Sequence, residues 1–219
     1  MVEFHCFIPK VAESMPIVRS KDIKFDWWEK ALDSHRQSPR PLPTTKCAGM
    51  RGVFELGWIQ RTYQDIEIIT KPDHPGFVSK TPYQQEKFND YVGEYVSDHA
   101  PSQLHDIKPL PPGTLPTIIK IHSPWFVTIP EGYSLLLMPV PYNDDNRFTA
   151  ATGVLKMNNY WNVQMYWHSK PGKHIIKAGT PVQQAVLVKN EQVDFQVKVV
   201  DDTKQFLKDN YPFYDKYLK

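Results

Sequence analysis

Residues 117–188 decide the fold of this chain. Ile118-Ile119-Lys120-Ile121-His122-Ser123-Pro124-Trp125 leads into Ile129-Pro130-Glu131-Gly132-Tyr133-Ser134-Leu135-Leu136-Leu137-Met138-Pro139, and Lys177-Ala178-Gly179-Thr180-Pro181-Val182-Gln183-Gln184-Ala185-Val186 closes the run. Short apolar segments alternate here with Pro, Gly, Asn and Asp, as strands cut by turns do. Strands are predicted at 117–122, 125–129, 133–139, 147–155, 162–168 and 185–188. Turn signals stand at Pro130-Glu131-Gly132, Asn143-Asp144-Asp145-Asn146, Lys170-Pro171-Gly172 and Lys177-Ala178-Gly179. Strands this short and closely spaced predict a mainly β chain of two packed antiparallel sheets, a sandwich or barrel.

Working outward, residues 3–8 alternate loosely and stop at Pro9, which suits a strand. Asp26-Trp27-Trp28-Glu29-Lys30-Ala31-Leu32 predicts one or two helical turns: Asp26 and Glu29 have capping-box spacing, and Trp28, Ala31 and Leu32 share a face. Residues 38–43, with Pro-Arg-Pro-Leu-Pro, suit an extended polyproline-like loop. Strands are expected at 52–60 and 65–70, the second with Ile66 and Ile68 alternating against Asp65 and Glu67, joined by a hairpin or corner at 61–64. Residues 71–116 form an irregular excursion containing a short helix over 83–95. Beyond the core, 195–200 predicts a strand, and Asp201 caps a terminal helix carrying Phe206, Leu207 and Tyr211. The expected organisation of 1–219 is one domain: an N-terminal extension over 1–46, a β core over 47–200 interrupted by the 71–116 excursion, and a C-terminal helix over 201–219.

Composition agrees with a globular chain. The 219 residues, 41% of them hydrophobic, supply one substantial core. Twenty prolines disfavour long helices, because each fixes φ and removes a donor. A formal charge of +2 gives no global field for nucleic acid or anionic membrane. The two cysteines, Cys6 and Cys47, imply no disulfide framework, and no run approaches the roughly 18 apolar residues of a membrane span. A cytosolic chain with no membrane partner is expected.

The chemical motifs are mostly negative. Eight histidines are spread along the chain, yet His-x-Asp, His-x-Glu, His-x-His and His-Glu-x-x-His are absent. Gly-x-Ser-x-Gly and the Walker and Rossmann phosphate loops are missing too. What remains is a loose set, Asp98-His99, His105-Asp106, His122 and His168, which converges only if the excursion folds over the sheet. His122, His168 and Asp98 are the candidate ligands for iron or zinc in a metal-dependent oxygenase or hydrolase. The other reading is of loop histidines hydrogen-bonded to their neighbours.

Aromatic residues favour binding. In Asn159-Tyr160-Trp161-Asn162-Val163-Gln164-Met165-Tyr166-Trp167-His168, alternation places Trp161, Val163, Met165 and Trp167 on a core face and Tyr160, Asn162, Gln164, Tyr166 and His168 on the other. The second set can stack a base or sugar and bond its edge, or stand as a solvated tyrosine face. Lys156, with Lys170, Lys173, Lys177 and Lys189, forms the nearby basic cluster for phosphate or, less directly, nucleic-acid contact.

Two resemblances follow from these residues. The order Ile129-Pro130-Glu131-Gly132-Tyr133, then Gly153-Val154-Leu155, then Ile176-Lys177-Ala178-Gly179-Thr180-Pro181-Val182-Gln183-Gln184 resembles the dUTPase and dCTP-deaminase β-clip superfamily over about a third of the chain. That resemblance implies a β-clip or jelly-roll scaffold. It also implies a catalytic aspartate after Gly153-Val154-Leu155, where Lys156 stands, so the enzyme reading is of a degenerate dUTPase. The whole chain, through Trp28, Lys46-Cys47-Ala48-Gly49, Trp58-Ile59-Gln60 and Gly179-Thr180-Pro181, is similar to a family of uncharacterised tailed-phage proteins, notably from phages of marine cyanobacteria. It implies a phage-encoded protein in the cytoplasm of the infected cell or on the virion. The function expected is a binding or assembly module, a candidate homo-oligomer, for a nucleotide-like ligand or a protein partner, with no cofactor.

Overall fold

The computed structural model describes residues 1–37, 44–82, 94–103, 106 and 108–211. The extended run expected at 38–43, nearly all of the helix expected at 83–95, His105 and the last eight residues lie outside them. In chain order the elements are β1 (Glu3–Cys6), α1 (Pro9–Ser14), β2 (Val18–Arg19), α2 (Asp26–Gln37), α3 (Ala48–Glu55), β3 (Trp58–Arg61), β4 (Ile66–Thr70), β5 (Phe77–Lys80), β6 (Val96–His99), β7 (Ile118–Ile121) and β8 (Trp125–Thr128). There follow β9 (Tyr133–Met138), β10 (Phe148–Ala150), β11 (Gly153–Leu155), β12 (Asn159–Tyr160), β13 (Val163–Trp167), β14 (Gly172–Ile176), β15 (Pro181–Lys189) and α4 (Thr203–Asn210).

The chain is mainly β and its strand pairs are antiparallel, as its short punctuated runs predict. Among the described residues the strands form four sheets, ordered β1-β8-β12, β10-β13-β7-β6, β11-β9-β15-β3-β2 and β14-β4-β5. They pack around two main cores. One joins Ile66, Ile68 and Ile176 to Ile119, Ile121, Val163, Met165 and Trp167. The other joins Val127 and Trp161 to Leu135 and Ala185, with Phe4, Trp58 and Leu187 against them. A third, smaller cluster lies where α2 and α3 cover the far face of β3, built from Phe25, Ile59 and Val140 with Trp27, Trp28 and Phe54.

The structure corrects several expectations. Residues 52–55 belong to helix α3, where Met50, Val53 and Phe54 recur at helical spacing and Phe54 packs against the cluster containing Ile59 of β3. Residues 1–46 are no appendage: β1 pairs with β8, β2 pairs with β3, and the Phe4 ring meets Trp58 and Trp161 at 5.4 and 5.9 Å. The 71–116 excursion contributes the edge strands β5 and β6. The 147–155 segment divides into β10 and β11, which join different sheets, and Gly172–Ile176 is a further strand between two turns. Residues 195–200 form no strand and stand outside the core.

Close approach fixes one glycine. Gly57 lies between α3 and β3 with φ at 68°, and a β-carbon there would fall 1.9 Å from the Ala185 carbonyl oxygen. Left-handed backbone and backbone contact both demand glycine at this site. Gly57→Ala is expected to lower unfolding free energy by about 2 kcal/mol or more. Gly153→Ala, where nothing lies within 4 Å of the new carbon, should change it by less than about 1 kcal/mol, and urea denaturation of the two variants checks the contrast.

Candidate functional site

The run 159–168 divides between two faces as alternation requires. Trp161, Val163, Met165 and Trp167 are buried, and Tyr160, Asn162, Gln164, Tyr166 and His168 are half-exposed. The polar face is already committed to holding the fold. Asn162 Oδ1 accepts from the Ser123 N–H at 2.9 Å, and the Tyr160 ring is packed by Phe7 and Phe126 at 5.6 and 5.4 Å. His168 bonds Thr114 Oγ1 at 2.9 Å and Thr149 Oγ1 at 3.0 Å. Among the described residues Gln164, opposite Lys120, and Tyr166, opposite Thr149, have no such side-chain bond.

The metal candidates are not brought together. Ile121 pairs with Val163 and Ile119 with Met165, so His122 lies opposite Asn162 and His168 six residues further along β13. At ~3.3 Å per residue that separation is about 20 Å, far beyond two bonds to one ion. Asp98 is exposed on the edge strand β6, opposite Ile119. Among the described residues no three His, Cys, Asp or Glu side chains are grouped to hold a metal. His122 instead bonds Ser97 Oγ at 2.7 Å. Burial, aided by the charges of Lys120 and His99, pushes its pKa down to about 4, and burial lowers that of His168.

The basic cluster is largely neutralised. Lys173 pairs with Glu67 at 2.5 Å, Lys177 with Asp65 at 2.8 Å and Lys189 with Glu191 at 2.6 Å. The Lys177 contacts and the Ala178 N–H hold Asp65 below the usual carboxylate range. Lys156 is exposed after β11, in a different sheet from β13. Both cysteines are free, and burial raises the Cys6 thiol.

A concave site lies elsewhere, in a groove of about 230 Å³ between the turn before α2 and helix α3. Phe25, Trp28 and Phe54 form its apolar wall; Lys21, Lys24 and Arg51 line it with cations, and Glu29 and Glu55 with acids. Trp28 meets Phe54 edge-on at 5.1 Å, and Phe25 meets Phe54 at 5.7 Å. Behind them the Trp27 indole N–H donates to the Tyr142 carbonyl oxygen at 2.9 Å. Tyr142 has a φ of 54°, a left-handed backbone that a bulky residue adopts only under constraint, and its ring lies 5.9 Å from Phe54. Sequence reading finds Trp27 and Trp28 on their helix. It misses the groove because Phe54 and Glu55 of the opposing wall fall in the 52–60 segment expected as a strand.

No family model matches this chain, and a search of curated proteins finds no match. No helix of the described residues is long and apolar enough to cross a membrane.

The neutrality of His122 has a pH signature. With a folded pKa of about 4 against 6.5 for the free side chain, the unfolded chain takes up a proton between these values that the folded chain excludes. Stability is therefore unaffected by this group above pH 6.5 and falls as pH drops toward 4. His122→Gln should flatten that slope in urea midpoints compared at pH 7 and pH 5.

Proposed function

We propose that this protein is a binding module, and that its ligand is a nucleotide-like molecule whose planar ring enters the groove walled by Phe25, Trp28 and Phe54. The observation that carries the reading is the pairing of that aromatic wall with Lys21, Lys24 and Arg51 in the one groove. An aromatic face stacks any base, and cations beside it meet phosphate. The volume, about 230 Å³, is below the roughly 300 Å³ at which drug-sized sites begin, so it suits one ring system with its phosphates on the rim. Lys21 and Lys24 form no ion pair among the described residues, while Arg51 makes only a long, exposed one to Glu55 at 3.8 Å. These cations are available to an anion at small desolvation cost.

Chemistry at this site has no support in the side chains present. Neither a histidine nor a cysteine lines the groove, and Glu29 and Glu55 are exposed at its edge. The tailed-phage resemblance adds that such a module is phage-encoded and acts in the cytoplasm of the infected cell or on the virion.

Calorimetric titration with nucleoside mono- and triphosphates tests the reading. Saturable binding that weakens with salt is expected, with affinity lost about tenfold or more in Trp28→Ala, since a stacked base contributes about 1–3 kcal/mol. Absence of binding by every nucleotide, or unchanged affinity in Trp28→Ala, overturns it.

A further inference from the structure

The expected strand at 195–200 finds no partner among the described residues, and its exposure is extreme. Val193, Phe195, Val197 and Val199 are 82%, 86%, 88% and 88% exposed. They alternate with Asp194, Gln196 and Lys198, so one side of an extended segment is wholly apolar. Every residue from 191 to 211 except Leu207 is exposed, which makes this stretch an arm leaving the body of the protein after β15. Water is a poor environment for such a stripe, and the sequence has the period of a strand that buries one face.

The body offers a matching site. Among the described residues β11 is an edge strand of three residues, hydrogen-bonded on one side only, to β9. Its central residue, Val154, is 51% exposed, and Met157 just beyond it is 67% exposed. The register places Val154 beside Leu136 and Leu136 beside Val186, so an apolar row runs across the sheet to this edge. Lys156, exposed and without an ion pair among the described residues, stands at the strand's end, as a complement to Asp194 on the arm. Unpaired edges carrying exposed apolar residues invite strand addition.

From these features we infer that the arm of one molecule pairs with the β11 edge of a second copy of this chain, extending the five-stranded sheet. The arm departs from the β15 side, where the Asn190 N–H donates to the Gly132 carbonyl oxygen, and β9 lies between β15 and β11. In its own chain it would have to cross over β9 to reach β11. Between two copies related by a two-fold axis the exchange is reciprocal, and each arm covers the other molecule's Val154. This inference is independent of the groove, which lies at the β3 end of the sheet under α2 and α3.

Sedimentation velocity on the full chain, over a range of concentrations, is the test. The wild type is expected to sediment as a dimer, and Val197→Asp on the arm and Val154→Lys on the edge should each weaken association at least tenfold. Phe195→Ser, a milder change on the same stripe, should act in the same direction. The monomer fold should be retained in all three, seen as an unchanged near-ultraviolet spectrum, because none of these residues belongs to a core cluster. A wild type that is monomeric at every concentration, or a Val197→Asp variant of unchanged mass, overturns the proposal. Dissociation by Val197→Asp with Val154→Lys still dimeric overturns the assignment to β11.

Discussion

The indole N–H of Trp161 donates to Gln183 Oε1 at 2.8 Å, both residues being buried, and the Gln183 amide donates onward to the Ala151 carbonyl oxygen at 3.0 Å. This short chain ties the run that enters β13 to β15 of the five-stranded sheet. Removing either side chain leaves a buried polar group unmade, which costs about 1–3 kcal/mol, so the two groups hold one another in place. The neighbouring Gln184 points to the opposite face and donates to the Val53 and Leu56 carbonyl oxygens at 3.0 and 2.6 Å, capping the end of α3. Two adjacent amides on β15 thus fasten the sandwich interior on one side and the helical layer on the other.

From that hub the two cores follow. Trp161 enters the cluster with Val127, Leu135 and Ala185, whereas Val163, Met165 and Trp167, further along the same alternation, enter the cluster with Ile66, Ile68 and Ile119. A single run of sequence therefore belongs to both halves. The groove and the arm lie outside these two cores, where side chains such as Tyr142, Phe195 and Val197 keep much of their surface in water. Tyr142 illustrates the difference: its left-handed backbone is stabilised by the Trp27 hydrogen bond, yet the residue stays 53% exposed.

Much of the sheet architecture was legible because its signals are local. The 133–139 segment and its turn read correctly since Tyr133 N–H closes on the Pro130 carbonyl oxygen with Gly132 at φ 78°. Alternation assigned the faces of β4 and β13 for the same reason. The failures are places where tertiary context decides. Residues 48–55 carry Val53 and Phe54, strand formers by preference, but Gly57 and the Gln184 amide of β15 hold a helix there. Alternation over 160–168 gave a polar face without revealing that Ser123, Thr114 and Thr149 engage it. His122 and His168 are kept apart because register, which sequence does not print, puts them at opposite ends of one strand pair. The groove was invisible because its walls come from two elements, one of them misread.

The two cores, joined through Trp161 and β15, are expected to unfold as one unit. Native-state hydrogen exchange measures it directly, by following the backbone amides of Ile68 and Ile119 in one core and of Leu135 and Ala185 in the other. The slowest amides of both cores should share a single opening free energy, and Gln183→Leu should lower it equally in both. Two separate opening energies, or a Gln183→Leu effect confined to the core containing Leu135, would contradict it.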